Sequence, residues 1–256
     1  MGKNLSILIA GLFLSLNSLI AQVKVADSLR NQLASRKNED TVRVNLLNDL
    51  AYELRRIKPA TTDSLIKIAI DLAGKLNYTK GKGYALAIQG SRFYAQVKYK
   101  SADSVFAISK KLLENVNDYK SEAFLLRSMA NMKMDEGDYA ASLDNFFKGL
   151  TMAHKSGDIK QAVEIERSIG YLYNILGEYE KAIPYQTEAL RLADSIEYKI
   201  GMSGAYNAIG KTYKSQGNYP ASLDAYSKGL RIDEELKDSA GIFIDYGNIG
   251  DRKSVV

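Results

Sequence analysis

Apolar residues between positions 160 and 200 recur at helical spacing. Ile169, Leu172, Tyr173 and Leu176 fall on neighbouring faces of one predicted helix, as the 3.6-residue period of an amphipathic element requires. Gly177 follows, and glycine readily takes the left-handed backbone that closes a helix, so it predicts a turn. A second helical pattern runs through Ala182, Ile183, Tyr185, Ala189, Leu190 and Leu192. The predicted unit is helix, tight turn, helix. Residues 24–36, with Val25, Leu29 and Leu33 four apart, predict an additional N-terminal helix that caps the open end of a stack.

That unit repeats. The tripeptides Gly137-Asp138-Tyr139, Gly177-Glu178-Tyr179 and Gly217-Asn218-Tyr219 lie 40 residues apart. Columns of small residues keep the same stride. One contains Gly90, Ala130, Gly170, Gly210 and Gly250; another Thr62, Ala102, Ser142, Ala182 and Ser222; a third Ala69, Ser109, Gly149, Ala189 and Gly229. Small side chains at Gly170 and Ala182 allow the two helices of a unit to approach closely. The Ala189 column is expected to do the same for the next unit's first helix. Tyr179 is expected to pack its ring under the hairpin and keep its hydroxyl in water. A 40-residue period also suits HEAT or armadillo helices and propeller blades. The Gly-x-Tyr turns and the small-residue ladder disfavour the first pair, and the helical patterns with zero Trp disfavour the propeller.

Tyr206, Gly210, Tyr213, Gly217, Tyr219, Ser222, Tyr226 and Gly229 resemble the tetratricopeptide repeat family in residue type and spacing. Gly170, Tyr173, Gly177, Tyr179, Ala182 and Ala189 resemble it in the preceding unit, with departures at Glu166 and Gln186. Lys133 stands where the family has Tyr, Val97 where it has the turn Gly, and the unit with Leu50, Pro59 and Thr62 is degenerate. The late Pro of the family is absent throughout. The resemblance implies an all-α, right-handed α-solenoid of stacked antiparallel helix hairpins. Expected units span about 43–82, 83–122, 123–162, 163–202 and 203–242, with a partial unit at 243–250, after a capping helix in 22–42. The six residues by which the stride exceeds the family's must lie in longer helices or in the links. Pro184 falls inside a second helix, where a kink is expected; Pro220 falls at a first helical residue, where proline is at ease.

Both ends differ from the repeats. Residues 1–21 have Lys3, an apolar run from Leu5 to Leu16, then Asn17 to Ala21. This is the layout of a secretory signal cleaved near Ala21, and it leads to the expectation of an exported, periplasmic or secreted protein. Retention as an anchor is the alternative. Residues 251–256, Asp-Arg-Lys-Ser-Val-Val, resemble the translation of a sequencing-library adapter. Tyr246, Ile249 and Gly250 begin a sixth unit, but Lys253 stands where its helix needs an apolar residue, so truncation at or near Gly250 is expected. Without both ends the chain loses Lys3, Arg252, Lys253 and Asp251, and its net charge falls from +5 to +3. That is mild, and the basic residues form no stripe, so nucleic acid is not an expected partner.

Composition narrows the chemistry. There is no Cys and a single His, His154. Thiolate metal sites, cysteine nucleophiles, disulfides and histidine clusters are excluded within this chain. No cofactor, metal site or catalytic residue is expected. His154, near a helix end beside Lys155, suits a dipole partner better than a catalyst. Gly81-Lys82-Gly83 lacks a preceding strand and reads as a link, not a phosphate loop. The tyrosines sit largely at repeat positions.

The first helix of each unit lines the concave face of such a stack. Its fifth and ninth positions, one turn apart, carry Arg127 and Asn131, Arg167 and Tyr171, then Asn207 and Lys211, with Lys214 beyond. This row of donors suits the carbonyls of an extended peptide, an acidic side chain or a C-terminal carboxylate. A solvated helix face looks the same. The family resemblance extends to the exported repeats of Bacteroidetes-like sensor histidine kinases or regulators. It implies a scaffold for protein or peptide segments, with a membrane helix and output module after Gly250. A complete secreted adaptor, or the recruitment domain of an enzyme, fits the residues as well. The oligomeric state is open.

Overall fold

A computed structural model describes residues 16–55 and 57–250, with side chains from residue 25 onward. The greater part of the leader pattern and the whole 251–256 tail lie outside the described residues. Twelve α-helices are present among the described residues. They are α1 (Leu16–Ser35), α2 (Thr41–Leu54), α3 (Pro59–Lys75), α4 (Thr79–Ala95), α5 (Tyr99–Leu113), α6 (Tyr119–Asp135), α7 (Tyr139–Ser156), α8 (Ile159–Ile175), α9 (Tyr179–Ser195), α10 (Lys199–Ser215), α11 (Tyr219–Leu236) and α12 (Ser239–Gly250). No described helix is long and apolar enough to cross a membrane.

The chain divides into two compact units, one of residues 22–158 and one that includes 159–250. Both are all-α and built from consecutive antiparallel hairpins, the solenoid architecture expected from the repeats. In the first, α2 pairs with α3, α4 with α5 and α6 with α7. In the second, α8 pairs with α9 and α10 with α11, and α12 packs on α11. First helices also touch successive first helices: α2 packs on α4, α4 on α6, and α8 on α10. This places the first helices on the inner layer of each unit.

The 40-residue stride is accounted for by two 17-residue helices, as in α8 and α9, each followed by a three-residue turn. The additional residues therefore lie in the helices. Each turn closes alike. Asp138 N donates to Lys133 O at 2.9 Å and Gly137 N to Met134 O at 3.0 Å, the paired bonds of a Schellman motif. Gly137, Gly177 and Gly217 have φ of 80°, 75° and 77°. Val97 occupies the same turn position with φ of 60° and is 69% exposed. The links between hairpins close in the same way through Asn77, Gly157, Glu197 and Lys237, all at positive φ, and Asn117 also has a positive φ.

The small-residue columns are seams. Gly90 faces the fully buried ring of Phe106, and a Cβ at Gly210 would come within 2.8 Å of the Tyr226 ring. A Cβ at Gly170 would lie 2.5 Å from Gln186 Cγ and 3.0 Å from the Ala182 carbonyl. Ala182 and Ala189 are fully buried. At Ser109 and Gly229 the third column behaves differently from expectation. Ser109 donates to Gly83 O at 2.7 Å, and Gly229 lies against Ser203 and Asn207, so both seat on the first helix of their own hairpin. Ala189 clusters with Val163 of its own hairpin and with Ala205 of the next. Of the turn tyrosines, Tyr179 is half-buried and Tyr219 is 45% exposed. Helix α9 runs unbroken through Pro184, and Pro220 sits in the first turn of α11.

The core of residues 22–158 is continuous from Ala26 to Met132. Leu29 and Leu33 of α1 pack against it. The Phe124 ring meets Tyr52 and Tyr84 edge-on, at centroid distances of 5.3 and 5.8 Å, a favoured aromatic geometry. In residues 159–250 a buried polar network joins three helices. Asn174 and Gln186 both donate to Thr212 Oγ1, at 3.0 and 2.9 Å, and Thr212 donates to Ala208 O. Gln186, the departure from the family's aromatic, is thereby satisfied at its amide nitrogen.

Candidate functional site

In residues 22–158 the inner layer holds a cavity of about 130 Å³ between the first helices. Arg127 and Asn131, one turn apart on α6, both line it. Arg55 from the end of α2 and Arg92 from α4 line it too, with Ser91 and Ser128. Arg92 is held by Asp63, Nε to Oδ1 at 3.0 Å and Nη2 to Oδ2 at 3.4 Å. The Arg55 guanidinium stacks 3.7 Å above the Tyr52 ring. Arg127 is 8% exposed and lies 5.7 Å from the Phe124 ring centroid. Its Nε is buried without a hydrogen-bond partner. At the margin, Tyr94 donates to Asp135 at 2.5 Å, and burial with this bond raises the phenol above its ordinary range.

Residues 159–250 carry the other expected positions, and these do not converge on one point. Lys211 Nζ lies 4.4 Å from the Tyr171 ring centroid, within cation–π range. Arg167 is paired with Glu164 at 2.7 Å, and its guanidinium lies over Gly204 of α10. Asn207 turns toward α11, with its Oδ1 buried. Lys214 is half-buried near the end of α10. His154 is in the last turn of α7, where Gly157 N bonds its carbonyl.

Two carboxyls in this second unit are perturbed. Burial pushes Glu166 up to about 7, and Glu188 nearby adds to the rise. Burial also pushes Asp245 on α12 up to about 7; Asn207 beside it pulls downward and the Asp233 carboxylate pushes further up. They belong to separate clusters. Among the described residues no group of His, Asp and Glu has the arrangement of a metal site.

Arg55 and Arg92 were not foreseen in the sequence, because neither falls on the fifth or ninth position. The cavity forms where three successive first helices meet, so the end of α2, the middle of α4 and the middle of α6 contribute together. A buried arginine with no paired acid one turn away is the only local signal, and Arg92 finds its acid on α3 instead.

Residues 161–235 match the family described as Tetratricopeptide repeat. The stacked hairpins and the turn and seam residues agree with that match. Solved structures show the same fold at low identity. BtubC (BKLC) from P. vanneervenii is similar at a TM-score of 0.63 and 13% identity, over 87% of this chain and 92% of that one. The signal transduction ATPase with numerous domains (STAND) protein PH0952 from Pyrococcus horikoshii, described with a tetratricopeptide repeat sensor, is similar at 0.64 and 18%, over 80% of this chain and 34% of that one. The chain thus spans about a third of that protein. A Rap protein complexed with Competence and Sporulation Factor is similar at 0.58 and 16%, over 95% of this chain and 73% of that one. Tetratricopeptide folds generally carry no catalysis, and they bind protein or peptide partners.

Proposed function

We propose that this chain is an exported interaction scaffold that binds a protein segment on its first-helix faces and forms the sensory part of a signalling protein. The carrying observation is the open cavity of residues 22–158, where Arg127 and Asn131 meet Arg55 and Arg92. Fixed donors on rigid helices suit an extended segment, whose carbonyls and acids are acceptors. The leader-like residues 1–21 support export. The similarity to a protein described with a tetratricopeptide repeat sensor, and to a Rap protein described with a bound factor, supports the sensory role. The chain itself does no chemistry in this reading.

Selection of displayed random peptides against the full chain tests the scaffold. Recovery of a shared motif supports it, and no enrichment over an unrelated helical protein contradicts it. N-terminal sequencing of the expressed protein tests export. A mature start near Gln22 is expected, and an intact cytoplasmic N-terminus would overturn that part. Reading the gene beyond the Gly250 codon tests the signalling role, for which a spanning helix followed by a kinase or DNA-binding pattern is expected.

A further inference from the structure

Helix α12 meets α11 through two acids. Asp245 is the only charged residue of α12, and it is fully buried. Asp233 on α11 is 3% exposed. The two carboxyls lie within hydrogen-bond reach of each other. Asp233 also presses on the α12 backbone, since a Cβ added at Gly241 would overlap its carboxyl. Neither oxygen of Asp245 accepts a hydrogen bond of good geometry, although Asn207 of α10 stands beside it.

The surroundings supply no positive charge. Asn207 and Ser203 of α10 are the neutral groups that act on the pair, and Asp238, in the link before α12, is a third acid. Asp238 caps α12, accepting from Ala240 N and Gly241 N at 3.1 and 3.3 Å. The cations of α10 and α11 are engaged or placed elsewhere. Lys199 holds Glu235 at 2.8 Å, Lys228 holds Asp224 at 2.7 Å, and Lys211 lies over Tyr171. Lys214 is half-buried near the end of α10, and Arg231, Glu234 and Lys237 are exposed. Two ionised carboxylates in contact inside a buried joint repel, and burial penalises each charge. One proton removes the conflict: Asp245 donates, Asp233 accepts, and a charge-assisted hydrogen bond joins the helices. Burial pushes Asp245 up to about 7, against the pull of Asn207 and with the push of Asp233.

We propose that the α11–α12 joint is a proton-operated latch: α12 seats on α11 while Asp233 and Asp245 share one proton, and loosens when that proton leaves. Undocking takes both carboxyls into water, where they return to the ordinary carboxyl range. Between that range and about pH 7 the docked joint holds a proton that the undocked one has lost. Docking is therefore strongest at and below the ordinary carboxyl range, weakens as pH rises from there, and levels off above about pH 8. The latch and the segment-binding reading rest on different residues, and either can fail alone.

Hydrogen exchange of the full chain, read by mass spectrometry and expressed as protection over intrinsic exchange, tests the latch. Protection of residues 239–250 is expected to fall about tenfold between about pH 6 and about pH 8 and then level off. Asp245→Asn keeps the shape and removes the titration, so its protection over 239–250 is expected to stay flat. Glu166→Gln, in a separate cluster, is expected to keep the wild-type profile there. A flat wild-type profile overturns the latch, and that measurement decides even if Asp245→Asn does not fold. An equal fall across α8 to α11 also overturns it, because the whole unit then loosens and not the joint. So does a persistent slope in Asp245→Asn. Millimolar calcium supplies a last arm: protection of 239–250 restored at about pH 8 in the wild type but not in Asp245→Asn would make the pair a cation site and overturn the shared proton.

Discussion

The ring of Phe106 on α5 lies directly against Gly90 on α4, with no room for a side chain between them. The hairpin closes because one position is empty and the facing one is full. Gly90→Ala is therefore expected to destabilise the protein by about 1–3 kcal/mol, since overpacking outweighs the helix-propensity gain. Gly74 on α3 has nothing within 4 Å of an added Cβ, so Gly74→Ala is expected to stabilise by about 0.5 kcal/mol. Urea unfolding of both variants checks the contrast, and equal effects would contradict the seam.

Val97 holds a left-handed turn with a β-branched side chain that is mostly exposed. That conformation costs about 1–2 kcal/mol, and little burial is at stake. Val97→Gly is expected to raise stability by about 1 kcal/mol after the entropy of a glycine in the unfolded chain is counted. Thermal melting with an unchanged or lowered midpoint would count against the strain.

Thr212 Oγ1 accepts from both Asn174 and Gln186 in a buried setting. Thr212→Val keeps the shape and leaves two buried amides without an acceptor. The expected loss is about 2–4 kcal/mol, the desolvation of both groups. Replacing Gln186 by Met in the same background should recover part of it, as a double-mutant cycle would show.

Glu166 and Asp245 hold their protons more tightly in the folded state than in the unfolded chain. Well below the unfolded carboxyl range both states are protonated, and these groups do not disturb the fold. As pH rises from there to about 7, the unfolded chain releases protons that the folded chain retains, so stability falls. The melting temperature is expected to drop between about pH 5 and about pH 8, and Glu166→Gln should shallow the slope. A rise over that window, or an identical slope in the variant, would contradict the assignment.

Much of this fold is legible in the chain because its signals are steric and local. Gly170, Ala182 and Gly177 each announce a close approach or a turn that other residues resist. The part that stayed hidden depends on partners far apart in sequence. Gln186 reads as a departure from the family until Thr212, 26 residues on, is placed beside it. Asp63 and Arg92 are 29 residues apart, and Arg55 reaches the cavity from a helix end that the fifth-and-ninth rule ignores. Arg127 and Asn131 were legible, since one helical turn on one face is enough to bring them together. Arg167 and Asn207, read by the same rule, turn instead to Glu164 and to α11.

The central claim is that the first-helix faces bind a protein segment. The direct measurement is fluorescence polarisation of a selected peptide with the wild type and with the combined Arg127→Ala, Arg167→Ala, Lys211→Ala variant. Charge-assisted bonds of this kind contribute about 1.5–3 kcal/mol each, so affinity is expected to fall at least about tenfold. Equal affinity, with the variant's helical content and melting intact, would show that the segment binds elsewhere and contradict the account.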